Sequence, residues 1–130
     1  MTARSLPWLK ANGYIAQKVE RWQKIWNPKP GGLAGVRIDL FGIIDIVAMP
    51  AVAQANGSIL GVQSTSAQNY SEHERKCLES PNLALWLHSG ADFEIHSWRK
   101  GGASGKRKLW NVKRMRAKLH GDSVVFFEYE

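Results

Sequence analysis

One acid inside an otherwise apolar run constrains this chain more than any other feature. Ile43-Ile44-Asp45-Ile46-Val47-Ala48-Met49 reads as a buried strand, apolar on both faces rather than alternating. A carboxylate there is costly unless a hydrogen-bond network, a basic partner or a metal ion compensates it. Ahead of it, Gly42 permits a sharp bend from Val36–Phe41, which is itself strand-like. Behind it comes a polar loop whose Asn56-Gly57 is a turn signal, then a third strand, Ser58–Val62. That strand delivers Gln63-Ser64-Thr65-Ser66, with Gln63 and Thr65 on one face by the period of two. An acid on one strand facing a polar pair on the next is a way to build a divalent-metal site, with the backbone carbonyl of Ser64 or Val62 as a further oxygen.

The remaining segments supply the frame. Residues 1–12 read as irregular at first, with Pro7 near a helix start. From Gly13 to Trp26 the apolar residues Ile15, Val19, Trp22 and Trp26 recur at helical spacing, which predicts an amphipathic helix. Glu20 falls at the edge of its buried face, where it either joins the metal site or pairs with Lys24 on the surface. Asn27 to Gly32 then stops the helix. Ser71 and Glu74 form a capping box for a helix carrying Arg75 and Lys76, and Ser80-Pro81 opens a second helical piece that ends at Gly90. Phe93–Trp98 reads as a strand, and Leu109–Leu119 and Val124–Tyr129 pair as a hairpin about His120-Gly121-Asp122. The expectation is one α/β domain over residues 1–130: helix, three-stranded antiparallel meander, helix, fourth strand, then a C-terminal basic hairpin. The helical crossover lets the third and fourth strands lie parallel. Asp39 competes with Asp45 for the acid role. It shares a face with Arg37, so an ion pair is the plainer reading, and Asp45 is preferred.

The net charge of +7 is unevenly spread. Arg99, Lys100, Lys106, Arg107, Lys108, Lys113, Arg114, Arg116 and Lys118 follow one another without an intervening acid. Such a block points to a polyanion, DNA, unless it is a solvated face kept for solubility. Trp98 and Trp110 flank this basic stretch and either stack on unpaired bases or cover the sheet. A single cysteine, Cys77, excludes an internal disulfide, and four scattered histidines give no zinc-like spacing. No membrane-spanning run or secretory leader is apparent, so a cytoplasmic protein is expected.

Gly42-Ile43-Ile44-Asp45 and Gln63-Ser64-Thr65, with Glu20 ahead of them, resemble the PD-(D/E)xK nuclease superfamily across roughly Gly13 to Trp98. The likeness is greatest to small phage and bacterial proteins related to Holliday-junction resolvases. It implies a restriction-endonuclease-like domain, a Mg²⁺- or Mn²⁺-dependent DNA endonuclease acting on branched or structured DNA, and a homodimer. It implies metal ligation by Asp45, Gln63, Ser64 and Glu20. The family's strand acid is Gln63 here, a neutral and weaker ligand, and its lysine is Thr65, whose hydroxyl carries no charge. Lys76 on the following helix or Lys100 at the end of the next strand could replace that lysine, and Lys76 is preferred. The alternative is a nucleic-acid-binding module that keeps the fold with weakened or lost chemistry.

Overall fold

The computed structural model describes residues 1–26, 33–54, 57–101 and 109–130. Helix α1 (Thr2–Ala11) is followed by strands β1 (Tyr14–Lys18), β2 (Arg21–Trp26), β3 (Leu33–Ile38), β4 (Ile46–Pro50) and β5 (Leu60–Ser66). A 3₁₀ turn, Ala67–Asn69, leads into α2 (Tyr70–Glu79) and α3 (Pro81–His88). Strands β6 (Asp92–Gly101), β7 (Leu109–His120) and β8 (Ser123–Glu128) complete the chain.

Six strands form one mixed sheet in the order β1-β4-β5-β6-β7-β8, and β2 with β3 form a separate two-stranded ribbon. Every neighbouring pair in the main sheet is antiparallel except β5 and β6, which run parallel with Gln63 opposite Ile95. The α2–α3 connection is the crossover that parallel neighbours require. Strand β5 is buried over almost its whole length, because helices cover both of its faces. On one side Leu9 of α1 packs on Ile46, Ala48, Leu60 and Val62. On the other, Cys77 of α2 and Leu83 of α3 pack on Ile43, Ile44, Phe93, Ile95 and Ala117. Ser80 caps α3 by accepting from the Asn82 N–H at 3.2 Å, with Pro81 at its first position. Helix α2 starts at Tyr70 and Ser71 lies inside it, so the Ser71 capping box does not form.

Three expectations are corrected. The amphipathic helix over Gly13–Trp26 is instead two strands. Gly13, at φ +91°, turns the chain out of α1, and β1 then pairs with β4 from Tyr14↔Pro50 to Lys18↔Ile46. The helical spacing of Ile15, Val19, Trp22 and Trp26 was coincidental: Ile15 and Trp22 are exposed. The N-terminal stretch, expected to start irregular with Pro7 near a helix start, is helical from Thr2 to Ala11, with Pro7 inside α1. Val36–Phe41 does not begin the meander either. Its first residues, Val36–Ile38, belong to β3, which among the described strands pairs with β2 alone, and the antiparallel three-stranded unit is β1-β4-β5.

Candidate metal and nucleic-acid site

A tight turn brings two acids together. Leu40 and Ile44 bond reciprocally across it, with N–H to carbonyl distances of 2.9 and 3.0 Å. Phe41 and Gly42, at φ +55° and +77°, close the reversal, a conformation easy for glycine and unusual for an aromatic residue. Antiparallel pairing of 40 with 44 sets Asp39 opposite Asp45. Glu20 joins them from the corner between β1 and β2, where the Val19 and Glu20 N–H groups donate to the Asp45 carbonyl at 2.9 and 3.3 Å. One carboxylate oxygen from each of Glu20, Asp39 and Asp45 lies within 4.8 Å of the others.

The cluster sets three carboxylates against two ammonium groups, and one of its buried oxygens has no hydrogen-bond donor. Asp45 is 5% exposed, and one of its oxygens accepts the Ser64 N–H at 2.8 Å. Burial pushes its carboxyl up to about 8, partly opposed by the Ser64 N–H and reinforced by the hydrogen bond and charge of Asp39 and the charge of Glu20. The Glu20 side chain is 6% exposed; Lys18 Nζ stands 3.4 Å from its Oε1 but outside hydrogen-bonding geometry, so that buried oxygen has no donor. Asp39 receives the Lys76 ammonium of α2 at 3.3 Å, rather than pairing with Arg37.

Gln63 faces the same side but is not free to ligate. Its Nε2 donates to the Ile43 carbonyl at 2.9 Å, and its Oε1 accepts from His73 Nδ1 at 2.9 Å and from the Cys77 thiol at 3.4 Å. Burial keeps that thiol protonated, pushed up to about 12. His73, held below its ordinary value first by burial and then by Lys76, donates through Nδ1 and keeps Nε2 available beside Lys76 in the groove along α2. Asp39, rather than Gln63, is therefore the residue whose side chain joins Asp45 and Glu20 in the cluster. Asp39 and Asp45 stand symmetrically about Gly42, three residues to either side, and that is the sequence signal for a hairpin that would pair them.

The other expected site residues disperse. Ser64 gives its N–H to Asp45 and turns its hydroxyl to the opposite face. Thr65 is buried and donates to the Ser66 carbonyl at 3.2 Å. Lys100 pairs with Trp110 five residues beyond the level of Gln63, about 16 Å along the strand, and on the other face of the sheet by alternation; it does not reach the acids. Among the basic residues, Arg99 and Lys113 line a groove on the α2 side with Ser97 and Asn111. Lys106, Arg107 and Lys108 lie outside the described residues.

Arg114 and Arg116 are engaged within the protein, which corrects their expected place at a nucleic-acid surface. Both converge on Glu94, a fully buried carboxylate under α1. Arg114 Nε and Nη2 each donate to it at 2.8 Å, and Arg116 Nε donates at 2.9 Å with a further, shorter contact from Nη2. Burial opposes the charge, but His96, Arg114 and Arg116 hold Glu94 down at about 2. Trp98, expected to be a stacking surface, is 6% exposed and donates to Ser5 Oγ at 2.8 Å. Ser64 Oγ also donates to Ser5 Oγ, at 2.6 Å. Ser5 must then donate to His96 Nδ1 at 3.0 Å, and His96 Nε2 to Glu94 at 3.2 Å. This Ser–His–Glu series has hydrolase-like order but no access: all three residues are fully buried. Trp110 lies under the Arg4 guanidinium, 3.9 Å from the ring centre.

Among the described residues no helix is long and apolar enough to cross a membrane. Compared with family models, curated proteins and solved structures, the chain shows no significant match.

Proposed function

We propose that this chain is a divalent-metal-dependent nuclease hydrolysing phosphodiester bonds of DNA, with Glu20, Asp39 and Asp45 as its metal ligands. The observation that carries the reading is the convergence of the three carboxylates together with the orphaned, buried oxygen of Glu20. Mutually repelling acids in a poor dielectric call for a cation, and an all-oxygen donor set suits Mg²⁺ or Mn²⁺. Such an ion supplies an activated water and charge relief on the phosphate. The Ser64 N–H fixes one Asp45 oxygen and so orients the carboxylate. Lys76, half-exposed and 3.3 Å from Asp39, offers its ammonium to the scissile phosphate in place of the strand lysine that Thr65 cannot imitate. The β1-β4-β5 unit with a helical crossover to parallel β6 supports a restriction-endonuclease-like fold.

A second reading, a nucleic-acid-binding module without cleavage, is favoured by one observation: the amide of Gln63, at the family's acid position, is fully engaged. Nicking of supercoiled plasmid in Mg²⁺, Mn²⁺ or EDTA separates the two. The nuclease reading expects metal-dependent nicking that Asp39→Asn and Asp45→Asn abolish. It also expects Lys76→Ala to lower turnover at saturating DNA about tenfold, roughly 1.4 kcal/mol of barrier. Binding without nicking in any metal selects the module.

A further inference from the structure

The β2–β3 ribbon leaves the fold between two of the proposed ligands. Glu20 immediately precedes β2, and Asp39 immediately follows β3. The register pairs Trp22 with Arg37 and Lys24 with Gly35, so these four residues share one face of the ribbon. Trp22 is 64% exposed. Its indole lies flat against the backbone of Gly35, where an added Cβ would stand 1.8 Å from Cζ2 and 2.0 Å from Cε2. Glycine is therefore the residue that lets the ring lie down there. The ring is largely open to solvent, and among the described residues no guanidinium stands over it. Other aromatic rings are covered: Arg4 lies over Trp110, Arg114 over Trp8, and Arg114 and Arg116 over Tyr129. Lys24 and Arg37, both exposed, flank the indole, and neither ribbon strand contains an acid.

An exposed aromatic ring between two cations matches one ligand chemistry, an unpaired nucleobase with its phosphates to either side. A paired base inside a duplex has both faces occupied by its neighbours and cannot use such a surface. We propose that Trp22, laid flat by Gly35 and flanked by Lys24 and Arg37, is a stacking platform for an unpaired base of DNA held beside the acid cluster. Trp22 is two residues from Glu20, about 7 Å of strand, so the platform grips a base within one or two nucleotides of the phosphate at the acids. The inference rests on the nuclease reading for its substrate, and it assigns that site DNA with unpaired bases at the point of cleavage.

The test measures binding of the full chain in EDTA, so it does not depend on cleavage. Two fluorescein-labelled probes of equal length are compared by anisotropy: a perfect duplex and the same duplex with a two-nucleotide central bulge. A third, with 2-aminopurine in the bulge, reports stacking by quenching. Wild type should prefer the bulge and quench the 2-aminopurine. Trp22→Ala should weaken bulge binding at least about fivefold, the low end for one stacked base, while leaving duplex binding within twofold. Trp22→Phe should restore most of the preference. Gly35→Val, which must lift the ring, should behave like Trp22→Ala, with circular dichroism confirming that both fold. Equal losses on both probes would make the ribbon a duplex-groove element and overturn the platform. Unchanged bulge affinity in Trp22→Ala, or no wild-type binding to either probe, would overturn it too. Bulge preference that depends on Trp22, without nicking in any metal, would uphold the platform and sink the nuclease.

Discussion

The two faces of the central sheet each bury a carboxylate, and they treat it in opposite ways. Under α1, Glu94 meets two guanidinium groups and an imidazole N–H, and it is held at about 2. Toward α2, Asp45 meets one backbone N–H and two further acids, and it is pushed up to about 8. The two clusters meet at a single residue of β5: Ser64 donates its N–H to Asp45 and its hydroxyl into the Glu94 network through Ser5. Burial is common to both, so burial does not explain the contrast. What differs is the supply of positive charge. Glu94 is compensated by its own chain; Asp45 has no basic partner among the described residues, because Lys18 and Lys76 stand against Glu20 and Asp39 instead, and on the proposed reading a divalent ion would supply that charge.

The sharpest way to break this comparison is to neutralise each acid in turn. Glu94→Gln leaves the part-buried Arg114 and Arg116 without their counter-charge and should cost about 3–5 kcal/mol in denaturant unfolding. Asp45→Asn, measured without metal, should be neutral or stabilising. A comparable loss from both variants would make Asp45 a second structural acid. Next in size is the response to metal. Mn²⁺ at a hundredfold excess over its Kd should stabilise wild type by about 2.7 kcal/mol, seen as a rise in Tm. Asp45→Asn and Asp39→Asn should abolish that rise, and Glu94 lies outside the site that produces it.

A smaller effect sharpens the place of Gln63. Its amide N–H₂ is bonded to the Ile43 carbonyl. Gln63→Glu keeps the shape, removes that donor and adds a fourth acid beside the cluster. Metal-free stability should fall by about 1–3 kcal/mol, with part of the loss recovered in Mn²⁺. No loss would mean that the amide is not committed as described.

The smallest effect per unit change is in pH. Asp45 is raised in the folded state above its ordinary 3.8 to about 8. Between those values the folded form holds a proton that the unfolded form has released, so stability falls as pH rises through that window. The slope approaches at most about 1.4 kcal/mol per pH unit. His73 and His96, both lowered by burial, act in the opposite sense near pH 6. The quantity to measure is therefore the difference between wild type and Asp45→Asn in EDTA. The variant should gain on wild type from about pH 4 to pH 8 and hold a constant lead above it. Glu94 works the other way, its contribution being present above its ordinary 4.5 and lost as pH falls toward 2. A difference that does not vary with pH would place the Asp45 proton elsewhere.

The sequence disclosed the parts of this arrangement that rest on local signals. The apolar run around Asp45, the bend at Gly42, the Ser80-Pro81 cap and the polar end of β5 follow from residue type and spacing. What it concealed depends on partners distant in the chain. Tyr14–Lys18 is a strand because β4 offers it an edge thirty residues later, whereas its own apolar spacing imitates a helix. Glu94 and His96, alternating with Phe93 and Ile95, look like a solvent face; they are buried because α1 lies over them. Arg114 and Arg116 sit in a run of cations that looks uniformly exposed, and only the β6–β7 register, with Glu94 opposite Arg116, separates them from Arg99 and Lys113. Asp39 was legible in its symmetry with Asp45 about Gly42, but its nearness to Arg37 pointed to a different partner.

The ribbon's point of departure has a mechanical corollary. Glu20 and Asp39 stand at the two ends of one excursion of the chain, and a cation held by both would fasten those ends together as a cross-link does. The cost of closing the loop would then fall on the bound ion, and it grows only with the logarithm of the loop's length. The distal part of the ribbon can therefore lengthen, shorten or change its sequence with little effect on the geometry of the acids. With such an ion bound, its base would work as a fixed socket, so that the proposed grip and the proposed chemistry could evolve at different rates within one short polypeptide.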